Sequence, residues 1–232
     1  MCPYSCDQTL LATCGRLLLC HSFVISEYPD NWDPMENKDF MLSLIDPESE
    51  SEEYDRVSSQ FLLTLPNAEV LRIDRVQNKL LWRRYLHRSK LMKDFDTHHL
   101  REELLFHGTR NNDPELIYKG DEGFDMRFSR YGMWGKGNYF AVNSKYSDDY
   151  AFIKGAVCKM FAACVLTGNS YVSPPNSKLD KPPFLSMNES GSSGSSIQRR
   201  YDSVTSHTGG TRVYITYDND HAYPAYLITY RR

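Results

Sequence analysis

From Leu104 to the C-terminus the sequence runs in short apolar stretches separated by Gly, Pro and Asn, and this punctuation constrains the fold more than anything else in the chain. "LLFHG" (104–108), "GNYFAV" (137–142), "VCKMFAACVLTG" (157–168), "RVYITYD" (212–218) and "AYLITYR" (225–231) carry the β-branched and aromatic residues of strands. Between them only "DPELIYKG" (113–120) and "SKYSDDYAFIK" (144–154) read as helices, and both are short. A doubly wound parallel sheet needs a helical crossover between successive strands, so the pattern predicts an α+β fold with an antiparallel or mixed sheet.

The first half has a different grammar. The turn-rich "SEYPDNWDP" (26–34) marks the expected entry into the folded domain, 26–232, behind a leader of uncertain structure, 1–25. A short apolar stretch and an acidic Ser/Pro turn follow, then Tyr54, Val57, Phe61 and Leu62 at helical spacing. "AEVLRIDRVQN" (68–78) reads as a strand, and "KLLWRRYLHRSKLMKDF" (79–95), free of Gly and Pro, as a helix. Inside the domain, "NESGSSGSS" (188–196) has the composition of a flexible surface loop.

A formal charge of −3 argues against a general nucleic-acid binder, which needs clustered cations to displace counterions from phosphates. The one dense basic run, "WRRYLHRSK" (82–90), reads as the wet face of a helix. Four of the six cysteines fall in the first twenty residues and form no disulfide framework, which favours a reducing compartment, cytoplasmic or nuclear. Cys6, Cys14 and Cys20 have zinc-finger spacing, but Val24 stands where the fourth ligand is required, so no metal site is expected. Leu10–Ile25 is broken by Arg16 and too short to span a bilayer, and neither secretion nor a membrane partner is expected.

The run "GMWGKGNYFAVNSKYSDDY" (132–150) invites comparison with nucleotide loops and fails both common patterns. Arg130 stands where a phosphate loop needs its first glycine, and Gly137 follows Lys136 where a hydroxyl is required. What the run does offer is Ser147 and Tyr150 three apart on one helix face, with Tyr139 in the strand before them. Two rings and a hydroxyl among small residues suit a flat ligand with polar edges; equally, Tyr139 and Tyr150 could be two core aromatics among sixteen tyrosines. His107 is ambiguous in the same way, although the Gly108–Thr109 that follows lets the backbone turn sharply and expose its amides.

Together, His-Gly-Thr (107–109), Gly-Lys-Gly-x-Tyr-Phe-Ala (135–141), and Ser147 and Tyr150 eight and eleven residues after Tyr139 resemble the catalytic domain of the poly(ADP-ribose) polymerase family. "RVQNKLLWRRY" (75–85), "VLTG" (165–168), "YDSV" (201–204) and "AYPAYLITY" (222–230) extend the likeness in order. The resemblance implies an ADP-ribosyltransferase fold of two packed, mostly antiparallel sheets with short flanking helices, and NAD as co-substrate. It implies that His107 bonds the adenosine ribose, that the backbone of Gly108 clamps the nicotinamide carboxamide with Ser147 as a third partner, and that Tyr139 and Tyr150 sandwich the ring, with Thr109 beside them. Residues 123–135 would be the loop over the donor, and Gly108→Val would block nicotinamide. Where polymerising members carry a glutamate this chain has Val213, so the triad is His107, Tyr139 and Val213 and the implied reaction is transfer of a single ADP-ribose to protein acceptors, the chain itself among the candidates. Nucleic-acid ends stay open as acceptors, activation by DNA breaks is not expected, and the alternative is a catalytically silent module of the same fold that binds partners.

Overall fold

The computed structural model describes residues 28–95, 101–185 and 198–232. The 1–25 leader with its cysteine spacing, and the Gly/Ser stretch at 188–196, lie outside the described residues. Within Asn31–Arg232, which fold as one unit, the elements run β1 (Phe40–Leu44), α1 (Ser51–Leu62), β2 (Glu69–Asn78), α2 (Lys79–Phe95), β3 (Glu102–His107), α3 (Glu115–Tyr118), β4 (Tyr131–Gly132) and β5 (Gly135–Lys136). They continue with β6 (Asn138–Ala141), α4 (Ser144–Asp148), β7 (Phe152–Lys154), β8 (Val157–Leu166), β9 (Ser170–Val172), β10 (Ser203–Thr208), β11 (Thr211–Thr216) and β12 (Ala222–Arg231).

Ten strands share one hydrogen-bonded sheet in the order β1-β2-β12-β8-β3-β6-β11-β10-β9, with β7 on the side of β8, and β4–β5 make a separate hairpin. Every pairing is antiparallel except β9 with β10. The two sheets implied by the resemblance are therefore continuous in hydrogen bonding, but only just. The joint between β3 and β6 is a single pair, Phe106 with Ala141.

Helix α1 starts with Glu52 and Glu53, whose charge suits a helix N-terminus, and buries Val57 and Phe61. Helix α2 buries Leu81, Tyr85, Ser89 and Met92, four positions on one face, and Asn78 caps it by accepting the N–H groups of Leu80 and Leu81, each at 3.1 Å. The basic run on α2 is less idle than a solvated face. Arg84 reaches Asp220 at 2.8 Å and Glu122 at 2.9 Å, so the helix is tied to the β11–β12 turn and to the start of the 123–135 loop.

Alternation along the strands divides the core. Phe61, Ile73, Phe106, Ile228 and Tyr230 pack on one face, Leu105, Phe124, Phe140, Phe161 and Leu227 on the other. Beyond the β3–β6 joint a third cluster forms from Trp134, Ala141, Val204, Val213 and Ile215.

Candidate active site

Strand β3 delivers His107 to the joint, where its Nδ1 lies 2.7 Å from the carbonyl oxygen of Tyr139 on β6. A carbonyl only accepts, so Nδ1 carries the proton and Nε2 keeps a bare lone pair. The rings of Phe124 and Phe140 stand 5.0 and 5.3 Å from the imidazole, and burial holds its pKa below the ordinary value, outweighing the carbonyl's opposing pull. His107 is thus a neutral acceptor at neutral pH.

Gly108 comes next, wedged against the end of α4. A Cβ built on it would overlap the backbone carbonyl of Tyr150 and come within 2.7 Å of the Ser147 carbonyl oxygen. The expectation that Gly108→Val acts by blocking a ligand is corrected here: a side chain at 108 collides with the protein's own backbone first. That close approach is secured by Arg110 N–H donating to Tyr150 O at 2.7 Å, while buried Thr109 donates its hydroxyl to Asn112 O at 2.7 Å. Among the described residues, the N–H and C=O of Gly108 themselves take part in no turn, loop or cap bond.

Ser147 and Tyr150 do share the joint with His107, as the helix spacing predicts. The Ser147 hydroxyl is buried and donates to Phe106 O at 3.0 Å. Tyr150 has the guanidinium of Arg110 over its ring, 4.2 Å from the centroid, and the ring of Tyr146 5.5 Å away. Tyr139, opposite, is strapped to the β4–β5 hairpin: its hydroxyl accepts Trp134 N–H at 2.9 Å and donates to Gly135 O at 2.8 Å. Gly132 must be a glycine for that strap to close, since a Cβ would lie 2.7 Å from the Tyr139 hydroxyl.

Between these groups opens a cavity of about 380 Å³, lined by His107, Gly108, Tyr139, Ser147 and Tyr150 on one side and by Phe128, Tyr131 and Met133 of the 123–135 loop on the other. The volume lies in the range of small-molecule sites. Val213 is not in the lining. It is 1% exposed, paired with Ala141, and packed into the Trp134 cluster, so the third member of the expected triad is core. No group of His, Cys, Asp or Glu that could hold a metal ion occurs among the described residues.

The model of the poly(ADP-ribose) polymerase catalytic domain matches residues 51–232. The chain belongs to this polymerase family. Curated relatives include a probable poly [ADP-ribose] polymerase of Dictyostelium discoideum, 38% identical over 216 residues that cover 88% of this chain and 58% of the relative. Protein mono-ADP-ribosyltransferase PARP12 of Mus musculus is 32% identical over 87% of this chain and 27% of its own length. For PARP14 of Homo sapiens the figures are 29%, 89% and 11%. The chain thus spans under two thirds of each of these relatives.

Among the cavity residues of this polymerase-family site that sequence reasoning missed, Tyr146 stands out. Tyr146 faces the same space, with the hydroxyls of Tyr150 and Thr208 as neighbours, and burial, ahead of the Tyr150 contact, pushes its phenol up to about 12. Gly209, at φ +55°, lays the β10–β11 turn on its ring, 2.6 Å from Cδ2 were a Cβ present. The i, i+4 spacing of Tyr146 and Tyr150 was the available signal.

Proposed function

We propose that this chain binds NAD in the joint between β3 and β6 and transfers a single ADP-ribose to a protein side chain, releasing nicotinamide. The observation that carries the reading is the pairing of an intact His107–Tyr139 bridge with an apolar, buried Val213. The first supplies what donor binding needs; the second leaves no acid to activate a growing polymer. Family membership supports the reading, as do the names of relatives that carry the mono-transferase description.

The residues fit the donor. Gly108 offers an N–H and a C=O side by side, the complement of a carboxamide, and the bare Nε2 of His107 can accept a ribose hydroxyl proton. Tyr139 and Tyr150 both line the cavity, and each ring laid on a planar guest would contribute about 0.5–1.5 kcal/mol. Ser147 would have to rotate its hydroxyl away from Phe106 O to serve as the third carboxamide partner. Bound NAD supplies a nicotinamide–ribose bond whose cleavage passes through a cation-like state, as in glycoside hydrolysis. The groups around it hold the donor in one orientation, and orientation is what they contribute to rate. With Val213 uncharged, the negative charge facing the developing cation comes from the acceptor's own carboxylate in this reading.

Labelled NAD incubated with the chain and resolved on a denaturing gel tests it. The expected product is a single-step shift on protein, with modification mapped to Asp or Glu and abolished in His107→Ala. A ladder of products would overturn single transfer; absence of both transfer and NAD binding would leave the silent-module reading standing instead.

A further inference from the structure

A second cavity, of about 200 Å³, sits where β9, β10 and β11 meet the turn after β8. Arg101, Asn169, Ser170, His207, Arg212 and Tyr214 line it, none of which lines the first. His207 and Arg212 are direct cross-strand partners, with Thr205 and Tyr214 the next pair on that face. Val213 and Ile215 point the other way into the Trp134 cluster.

Its two arginines are not directly paired. Arg75, Arg84, Arg127 and Arg232 each lie within 3.0 Å of a carboxylate, whereas neither Arg101 nor Arg212 has one at salt-bridge distance among the described residues. The two carboxylates nearest the space face neighbouring groups and not the guanidiniums: Asp202 accepts Asn169 N–H at 2.8 Å, and Glu103 accepts from Thr167 at 3.4 Å and adjoins the Tyr214 hydroxyl, which Arg212 also touches. The lining carries two guanidinium forks, an imidazole, a side-chain amide and hydroxyls, the donor types that match phosphate oxygens.

We propose that this cavity binds one phosphate monoester, carried by a serine or threonine of a partner protein. The space is below the roughly 300 Å³ of ordinary ligand pockets, room for a phosphoryl group and its linkage but not for a nucleotide. Val172, 73% exposed at the rim, offers apolar contact to a carrier chain, which a free anion would not use. A nucleic-acid strand is a poorer fit, because its successive phosphates need a track of cations and this lining holds two arginines around one small cavity. The site stands independently of the donor reading of the first cavity.

Nuclear magnetic resonance titration of the isotope-labelled chain with N-acetyl-O-phosphoserine amide, its unphosphorylated counterpart, inorganic phosphate and oligothymidylate tests the proposal. The phosphoserine derivative is expected to shift the amides of Gly168, Asn169 and Ser170 saturably, at least several-fold more tightly than inorganic phosphate, while the unphosphorylated compound leaves them in place. Arg101→Gln and Arg212→Gln, both at exposed positions, should each weaken binding by about tenfold, one charge-assisted pair's worth, without altering the spectrum elsewhere. No shift at millimolar phosphoserine, shifts that survive in both variants, an equal response to inorganic phosphate, or tighter binding of oligothymidylate would overturn it.

Discussion

Two residues define what this cavity can and cannot do. Gly108 has no room for a β-carbon, so Gly108→Ala should lower the melting temperature markedly and abolish NAD binding together, both read in one thermal-shift series with and without NAD. A variant that kept its stability and lost only ligand would show the overlap with Tyr150 to be easily relieved. Val213 gives the complementary case. Val213→Glu places a carboxyl group at a position 1% exposed within the Trp134 cluster, where even in its neutral form it costs on the order of 2–7 kcal/mol. Chemical denaturation should register that loss, and the surviving protein should still make no polymer, because the sheet would have to open before the acid reached the cavity.

Elements tell how the wall over the cavity is held. The β4–β5 hairpin hangs on Tyr139 through two hydrogen bonds, on Tyr217, whose hydroxyl donates to Trp134 O at 2.7 Å, and on Ser173, which accepts Trp134 Nε1–H at 3.0 Å. Tyr139→Phe removes the first two and keeps the ring, so stability should fall by about 1–3 kcal/mol while the Trp134 amide exchanges faster and the KM for NAD rises more than kcat falls. Much of this layer was legible beforehand. Strands β2, β6, β8, β11 and β12 announce themselves in Val, Ile and Tyr, β3 in Leu and Phe, and α2 in an unbroken run of helix formers. Strand β10, "SVTSHT", does not: hydroxyl-rich and nearly without apolar residues, it is a strand because β11 pairs along it. The helix read through 154 stops at Asp148, and Phe152–Lys154 turn through Gly155, φ +65°, into a hairpin with β8. Tyr139, Ser147 and Tyr150 are close enough in the chain to be grouped by spacing, whereas His107, 32 residues before Tyr139, joins them only through the resemblance to the polymerase family. The stacking of Arg110 on Tyr150 was not, since it depends on how β3 leaves the sheet beside α4.

At the scale of the whole molecule, the neutral His107 couples folding to acidity. Its folded pKa lies below 6.5, so the unfolded chain takes up a proton first as pH falls. Stability should therefore drop as pH descends from about 6.5 toward the folded pKa, and level off beneath it. Melting temperatures across that window, compared with His107→Gln, should show the slope in the wild type and its absence in the variant. The single-pair joint between β3 and β6 has a wider meaning. A ligand amide seated on Gly108 would supply rungs that the ladder leaves out there, so a bound donor acts as a splint across a seam. Such a chain would be mechanically and proteolytically weakest between turnovers, and a tight inhibitor would harden the entire sheet, not merely fill a hole in it.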